Sequence, residues 1–140
     1  MKIGFTASAF DLLHAGHVLM LEEARGVCDY LVVGLQLDPT VDRVAKNKPV
    51  QTVVERYLQL RACKYVNEII PYTSEKDLED ILAAMPIAIR ILGEEYKDQD
   101  FTGRDICKKK SIELYFNQRN HGFSSSDLRI RVVRAEHEKK

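Results

Sequence analysis

Short apolar runs rich in β-branched residues alternate along the chain with longer stretches of helical spacing, and this alternation limits the fold more than any other feature. Tyr30–Leu35 (YLVVGL) is apolar almost throughout, as strands covered on both faces tend to be. Lys2–Ala7 (KIGFTA), Glu68–Pro71, Ile87–Leu92 and Lys110–Phe116 read as further strands. Between the first two runs, His17–Cys28 repeats apolar residues at Val18, Leu21, Ala24 and Cys28, the spacing of one helix face. Val53–Tyr65 and Ser74–Met85 read as helices, the second with Ser74 as N-cap, Asp77 at the capping-box position and Pro86 beyond its end. Ser125–Glu136 is a closing helix. The order is β-α-β-α-β-α-β-loop-β-α. With right-handed crossovers it predicts an α/β fold: a Rossmann-like, doubly wound, mainly parallel five-stranded sheet with helices on both faces. The 140 residues suit a single domain, residues 1–140, without repeat or linker.

Composition excludes several classes of function. Lys plus Arg and Asp plus Glu both number 21, so no global field draws the chain to nucleic acid or an anionic membrane. Any basic site must be local. The three cysteines, Cys28, Cys63 and Cys107, form no CxxC pair. That argues against a disulfide framework or a structural zinc site and fits a reducing compartment. MKIGFTASAFD lacks the apolar core of a signal peptide, and no apolar run approaches the ~18 residues of a membrane span. The expectation is a soluble cytoplasmic protein.

In doubly wound sheets ligands bind beyond the carboxyl ends of the strands, where the strand order reverses. The loops at that edge are Ser8–Gly16, Gln36–Val50, Gly93–Arg104 and Gln118–Ser126. The first carries His14 and His17, three residues apart at a strand-to-helix junction. Zinc would need three or four ligands, and no HExxH or second histidine or cysteine pair completes a set. A helix opening near His17 offers unpaired N–H groups and the positive end of its dipole, and Gly16 lets backbone approach a phosphate. Two imidazoles there can hydrogen-bond the oxygens of one phosphoryl group. Neither GxxxxGK[ST] nor GxGxxG occurs, which excludes a Walker ATPase and an ordinary dinucleotide dehydrogenase. On the residues alone, an anion site and two plain surface histidines both stay open.

Asp11–His17 (DLLHAGH) resembles the HxGH signature of the nucleotidyltransferase superfamily, and FDLLHAGH is most similar to the glycerol-3-phosphate cytidylyltransferase family. The likeness continues through DYLVVGLQLD (29–38), ERYLQLRACKYVNEIIP (55–71) and ILGEEYKDQDF (91–101). RNHGFSSSDLR (119–129) resembles the second signature, an arginine followed by GxS[ST][ST] at a helix start. The resemblance implies transfer of CMP from CTP to a small phosphomonoester such as glycerol 3-phosphate, with release of pyrophosphate. It implies that His14 and His17 contact the α-phosphoryl oxygens. Ser124, Ser125 and Ser126 would hold the β- and γ-phosphates, with charge from Arg119, Lys46 and Lys48. Further nucleotide-facing positions are Ser8, Ala9, Phe10, Asp11, Gly16, Asp38, Gly93 and Glu94. Acceptor-facing positions are Asp11, Arg56, Lys64 and Tyr96. The implied partners are CTP or ATP and a small phosphorylated alcohol, with no nucleic acid or membrane, in a homodimer. Mg²⁺ is implied with the triphosphate, and no residue is assigned as a metal ligand.

The chain departs from that family pattern in places. Ser8 and Ala9 stand where the family has Gly-Thr, and Ala9 cannot supply a hydroxyl contact. His121 replaces an acidic residue, while Ser125 and Ser126 replace threonines and keep the hydroxyls. Lys64 keeps a basic charge and Asn67 loses an acidic one. Two other readings follow: an adenylyltransferase using ATP on a sugar phosphate, FMN or phosphopantetheine, and a catalytically weak nucleotide-binding module. Pyrophosphate release with CTP or with ATP separates them.

Overall fold

In the computed structural model, which describes residues 1–139, the apolar runs form β1 (Ile3–Ser8), β2 (Tyr30–Gln36), β3 (Glu68–Tyr72), β4 (Ile89–Gly93) and β5 (Glu113–Asn117). Helices α1 (Ala15–Gly26), α2 (Val53–Arg61), α3 (Glu75–Ala84), α4 (Arg104–Lys109) and α5 (Ser125–Glu138) lie between and after them. The strand order is β3-β2-β1-β4-β5. Every neighbouring pair is parallel, so the sheet is wholly rather than mainly parallel.

Both faces are covered. Leu21 and Ala24 of α1 and Leu60 of α2 pack with Leu31, Val33, Leu35, Ile89 and Ile91 on one side. Leu78 and Leu82 of α3 and Cys107 of α4 pack with Phe5 and Val32 on the other. β2, with a strand on each side and helices above and below, is buried from Leu31 to Gln36. β3 lies at an edge, which is where the exposed Pro71 and its missing N–H can be accommodated.

Two local expectations are corrected. The loop foreseen between the last two strands contains α4, whose six residues are too few to show a helical repeat. The helix foreseen over Val53–Tyr65 stops at Arg61. There Cys63 N–H bonds the Leu60 carbonyl and Val66 N–H that of Cys63, turning Cys63, Tyr65 and Val66 onto the core.

The caps of α3 follow the sequence. Ser74 Oγ accepts from Asp77 N–H at 3.1 Å, and Asp77 Oδ2 accepts from Ser74 N–H at 3.0 Å. At the other end, Lys110 Nζ donates to the carbonyls of Leu82, Ala83 and Met85. Ser74→Ala is expected to cost about 1 kcal/mol. Urea denaturation should show this as a lower midpoint with an unchanged slope.

The chain runs from β1 outward through β2 to β3, then returns to place β4 on the other side of β1. The order therefore reverses at β1, and a crevice forms beyond Ser8.

Candidate active site

The loop leaving β1 is tightly bent. Phe10 and Leu12 have φ of 50° and 53°, a left-handed conformation that costs side-chain-bearing residues about 1–2 kcal/mol each. Asp11, between them, holds the bend. Its carboxylate accepts from Val50 N–H and Gln51 N–H, both at 2.9 Å, and from Arg129 at 2.8 Å. Leu12 N–H donates to Gln51 Oε1, and Phe10 is buried in the core. Burial pushes the Asp11 carboxyl upward, but the two N–H groups and Arg129 outweigh it and hold it below the ordinary range. Asp11 thus ties its own loop to the segment before α2 and to α5.

His14 and His17 open α1 and cap it with their own rings. His14 Nδ1 accepts from Gly16 N–H at 3.0 Å, and His17 Nδ1 accepts from His14 N–H at 3.2 Å. A neutral imidazole that accepts at Nδ1 carries its proton on Nε2. Both rings therefore carry their proton on Nε2. The ring centroids are 4.0 Å apart, so the two imidazoles lie side by side.

The rings are neutral before any anion arrives. Burial, then the charges of Arg119 and His121, hold His14 below its usual value. Burial, with His14 next, pushes His17 down to about 4. Between pH 6.5 and about 4 the unfolded chain binds a proton at His17 that the folded chain refuses, so stability is lost as pH is lowered through this window. His17→Asn removes the titrating ring and keeps an oxygen that can accept His14 N–H. Relative to wild type, it is expected to gain on the order of 2 kcal/mol on going from pH 7.5 to 4.5, measured by urea denaturation at both pH values.

The N-terminus of α5 meets this pair from across the crevice. Ser124 caps the helix through Asp127 N–H, and His14 Nε2 lies 3.1 Å from Ser125 Oγ. His121 Nδ1 accepts from Phe123 N–H, and its ring stacks on Phe123. A Cβ on Gly16 would lie 2.8 Å from His14 Cε1 and 2.9 Å from the Phe123 carbonyl. Glycine is required here because the last loop comes so close, a neighbour the sequence did not reveal.

A cleft of about 490 Å³ opens between these loops. It is bordered by Ser8, Ala9, Phe10, Asp11, His14, Gly16 and His17 from the first loop. Lys46, Gly93, Glu94 and Tyr96 border it from the middle loops, and Arg119, Ser125 and Ser126 from the last. Tyr96 also packs edge-on against Phe101. Asp38, Lys48, Arg56, Lys64 and Ser124 are not brought into its lining. Asp38, Lys48 and Arg56 border a separate hollow with Pro49–Val53.

Arg56 and Lys64, expected to face the acceptor, lie outside this lining and are engaged locally. Arg56 is only 2% exposed, and its guanidinium donates to the carbonyls of Ala9, Gln36, Leu37 and Gln51. It braces the loops after β1 and β2. Lys64 holds its ammonium over the Tyr65 ring. Arg90 and Arg129, assigned nothing from sequence, both line the cleft. The signal for Arg90 was present: a charge at the centre of the apolar run IAIRIL.

Mg²⁺ finds no ready cage of protein ligands. Among the described residues no group of three or more His, Cys, Asp or Glu is placed to hold a metal ion. The Asp11 oxygens are already occupied by N–H donors and Arg129. Among the described residues, too, no helix is long and apolar enough to cross a membrane.

A parallel sheet whose order reverses at β1, with HAGH opening the helix that follows, defines the HxGH class of nucleotidyltransferases. A model of the Cytidylyltransferase-like family matches residues 5–131, and the chain belongs to that family. It is 33% identical over 140 residues to the Bifunctional protein HldE of Rhodopseudomonas palustris strain BisB18, covering 99% of this chain and 28% of the relative. To the Bifunctional protein HldE of Hyphomonas neptunium it is 35% identical over 115 residues, covering 81% of this chain and 24% of that one. The chain thus spans about a quarter of the length of these relatives. The lipopolysaccharide core biosynthesis protein of Thermoplasma volcanium shares the fold with a TM-score of 0.71 at 24% identity, over 86% of this chain and 99% of that one.

Proposed function

We propose that this chain transfers CMP from CTP to a small phosphorylated alcohol and releases pyrophosphate. The observation that carries this reading is the convergence of two neutral imidazoles, His14 with its Nε2 beside Ser125 Oγ, on the opening of a second helix across one cleft. A phosphomonoester oxygen attacks the α-phosphorus. A new P–O bond forms there as the bond to the bridging oxygen of the β-phosphate breaks, and the electron pair leaves with pyrophosphate. The nucleophile is already an anion, so no general base is required. Catalysis is then positioning together with stabilisation of the five-coordinate phosphoryl group.

The Nε2–H donors of His14 and His17 serve the α-phosphoryl oxygens, where negative charge grows. Ser125, Ser126 and the first N–H groups of α5 serve the leaving phosphates, assisted by Arg119 and Lys46. Glycerol 3-phosphate is the first acceptor to try. Pyrophosphate release should be measured with CTP and with ATP against glycerol, choline, ethanolamine and sugar phosphates. Release with CTP and a phosphorylated alcohol supports the proposal. Release with ATP alone reassigns the nucleotide, and nucleotide binding without release from any pair overturns the transferase reading.

A further inference from the structure

Part of the cleft lining comes from the α3 side of the sheet, where Tyr72, Glu75 and Leu78 join Arg90. Successive strand residues point to opposite faces, so Ile89 and Ile91 enter one core while Arg90, paired in register with Phe5, enters the other side. Arg90 is only 5% exposed, yet it borders the cleft.

Among the described residues, its surroundings hold the guanidinium with no carboxylate in direct contact, although Glu75 acts on it from a distance and Glu94 and Glu95 line the same cleft. Arg90 Nη1 donates to the Thr102 carbonyl, and the Cys107 side chain is a second hydrogen-bonding neighbour. Its guanidinium sits 5.1 Å from the Phe101 ring centroid, and Arg104 packs on the same ring. No carboxylate lies within 4.0 Å among the described residues. Glu75, which also faces this side, is paired to Arg43 at 3.4 Å. Burial, then Glu75, pushes the Tyr72 phenol up, so Tyr72 is neutral. A guanidinium taken out of water without a counter-charge in contact is costly, and a ligand anion would relieve that cost.

We infer that the acceptor carries, besides the phosphate that attacks, an anionic tail that seats against Arg90, either a carboxylate or a second phosphate. The inference rests on the nucleotidyl-transfer reading, because it treats this part of the lining as the acceptor end of that cleft. The planar guanidinium fork suits both kinds of tail. Arg43 and Tyr72, at the same end of the cleft, add donors.

The test compares three compounds with similar backbones: glycerol 3-phosphate with a neutral tail, 3-phosphoglycerate with a carboxylate, and propane-1,3-diol bisphosphate with a second phosphate. Calorimetric titration of the full chain, without nucleotide, should show one or both anionic-tailed compounds binding about ten- to a hundredfold more tightly than glycerol 3-phosphate. Arg90→Met should abolish that preference and Arg90→Lys should keep part of it. Should Arg90→Met fail to fold, the wild-type comparison and Arg90→Lys decide. Equal binding of all three, absence of binding by both anionic compounds, or a preference that survives Arg90→Met overturns the inference. Pyrophosphate release then separates the two claims. An anion preference without turnover on CTP or ATP defeats only the transferase reading, whereas turnover of glycerol 3-phosphate with no such preference defeats only this one.

Discussion

His14→Ala and His17→Ala are each expected to lower turnover by about a hundredfold or more, with a much smaller change in nucleotide affinity. Each ring is held by an Nδ1 hydrogen bond to backbone, so its Nε2–H is oriented before the substrate arrives. Such a donor gains most where charge develops, in the transition state rather than in the bound nucleotide. A loss in kcat with nearly constant nucleotide Kd is therefore the diagnostic pattern. His17→Asn can retain the acceptor for His14 N–H while removing the imidazole donor. Its turnover should fall nearly as far as that of His17→Ala. Near-normal kcat in both alanine variants would reject the assigned role.

The second large effect concerns stability. Arg56→Ala is expected to cost about 3 kcal/mol or more, because it leaves several buried or half-buried carbonyls without their charged donor. Those carbonyls belong to Ala9, Gln36, Leu37 and Gln51, so the loss also frees the two loops that frame the first part of the cleft. Arg56→Lys keeps the charge and loses the fork that spans several carbonyls, so it should recover only part of the loss. Thermal and urea denaturation measure both variants. A stability within 0.5 kcal/mol of wild type for Arg56→Ala, the ordinary range for surface changes, would refute the bracing role.

Much of the fold was legible because its causes are local. The fully apolar YLVVGL became the strand buried on both faces, and Ser74 with Asp77 formed the capping box their spacing announced. The junction of β1 and α1 fell where HAGH placed it, although the helix begins at Ala15 and uses His14 itself as its cap. The six residues of α4 were hidden by their shortness.

The candidate site was legible only in part. The two motifs pointed to His14, His17, Arg119 and Ser125, and the structure gathers these around one cleft. Arg56 was expected to face the acceptor; its bonds to carbonyls were not legible, because backbone acceptors carry no mark in the sequence. His14 and Ser125 lie 111 residues apart in the chain and within hydrogen-bond distance in space, so their meeting depends on the complete strand order.

The sequence by itself determined the five strands, the longer helices, the cap of α3 and the chemical character of the two loops, since each follows from residues within a few positions of one another. Only the tertiary structure decided which cations face the cleft. It turned Arg56 toward backbone carbonyls and set Arg90 in the lining of the cleft, because a side chain's surroundings in a sheet are fixed by register and by neighbours far away in the chain.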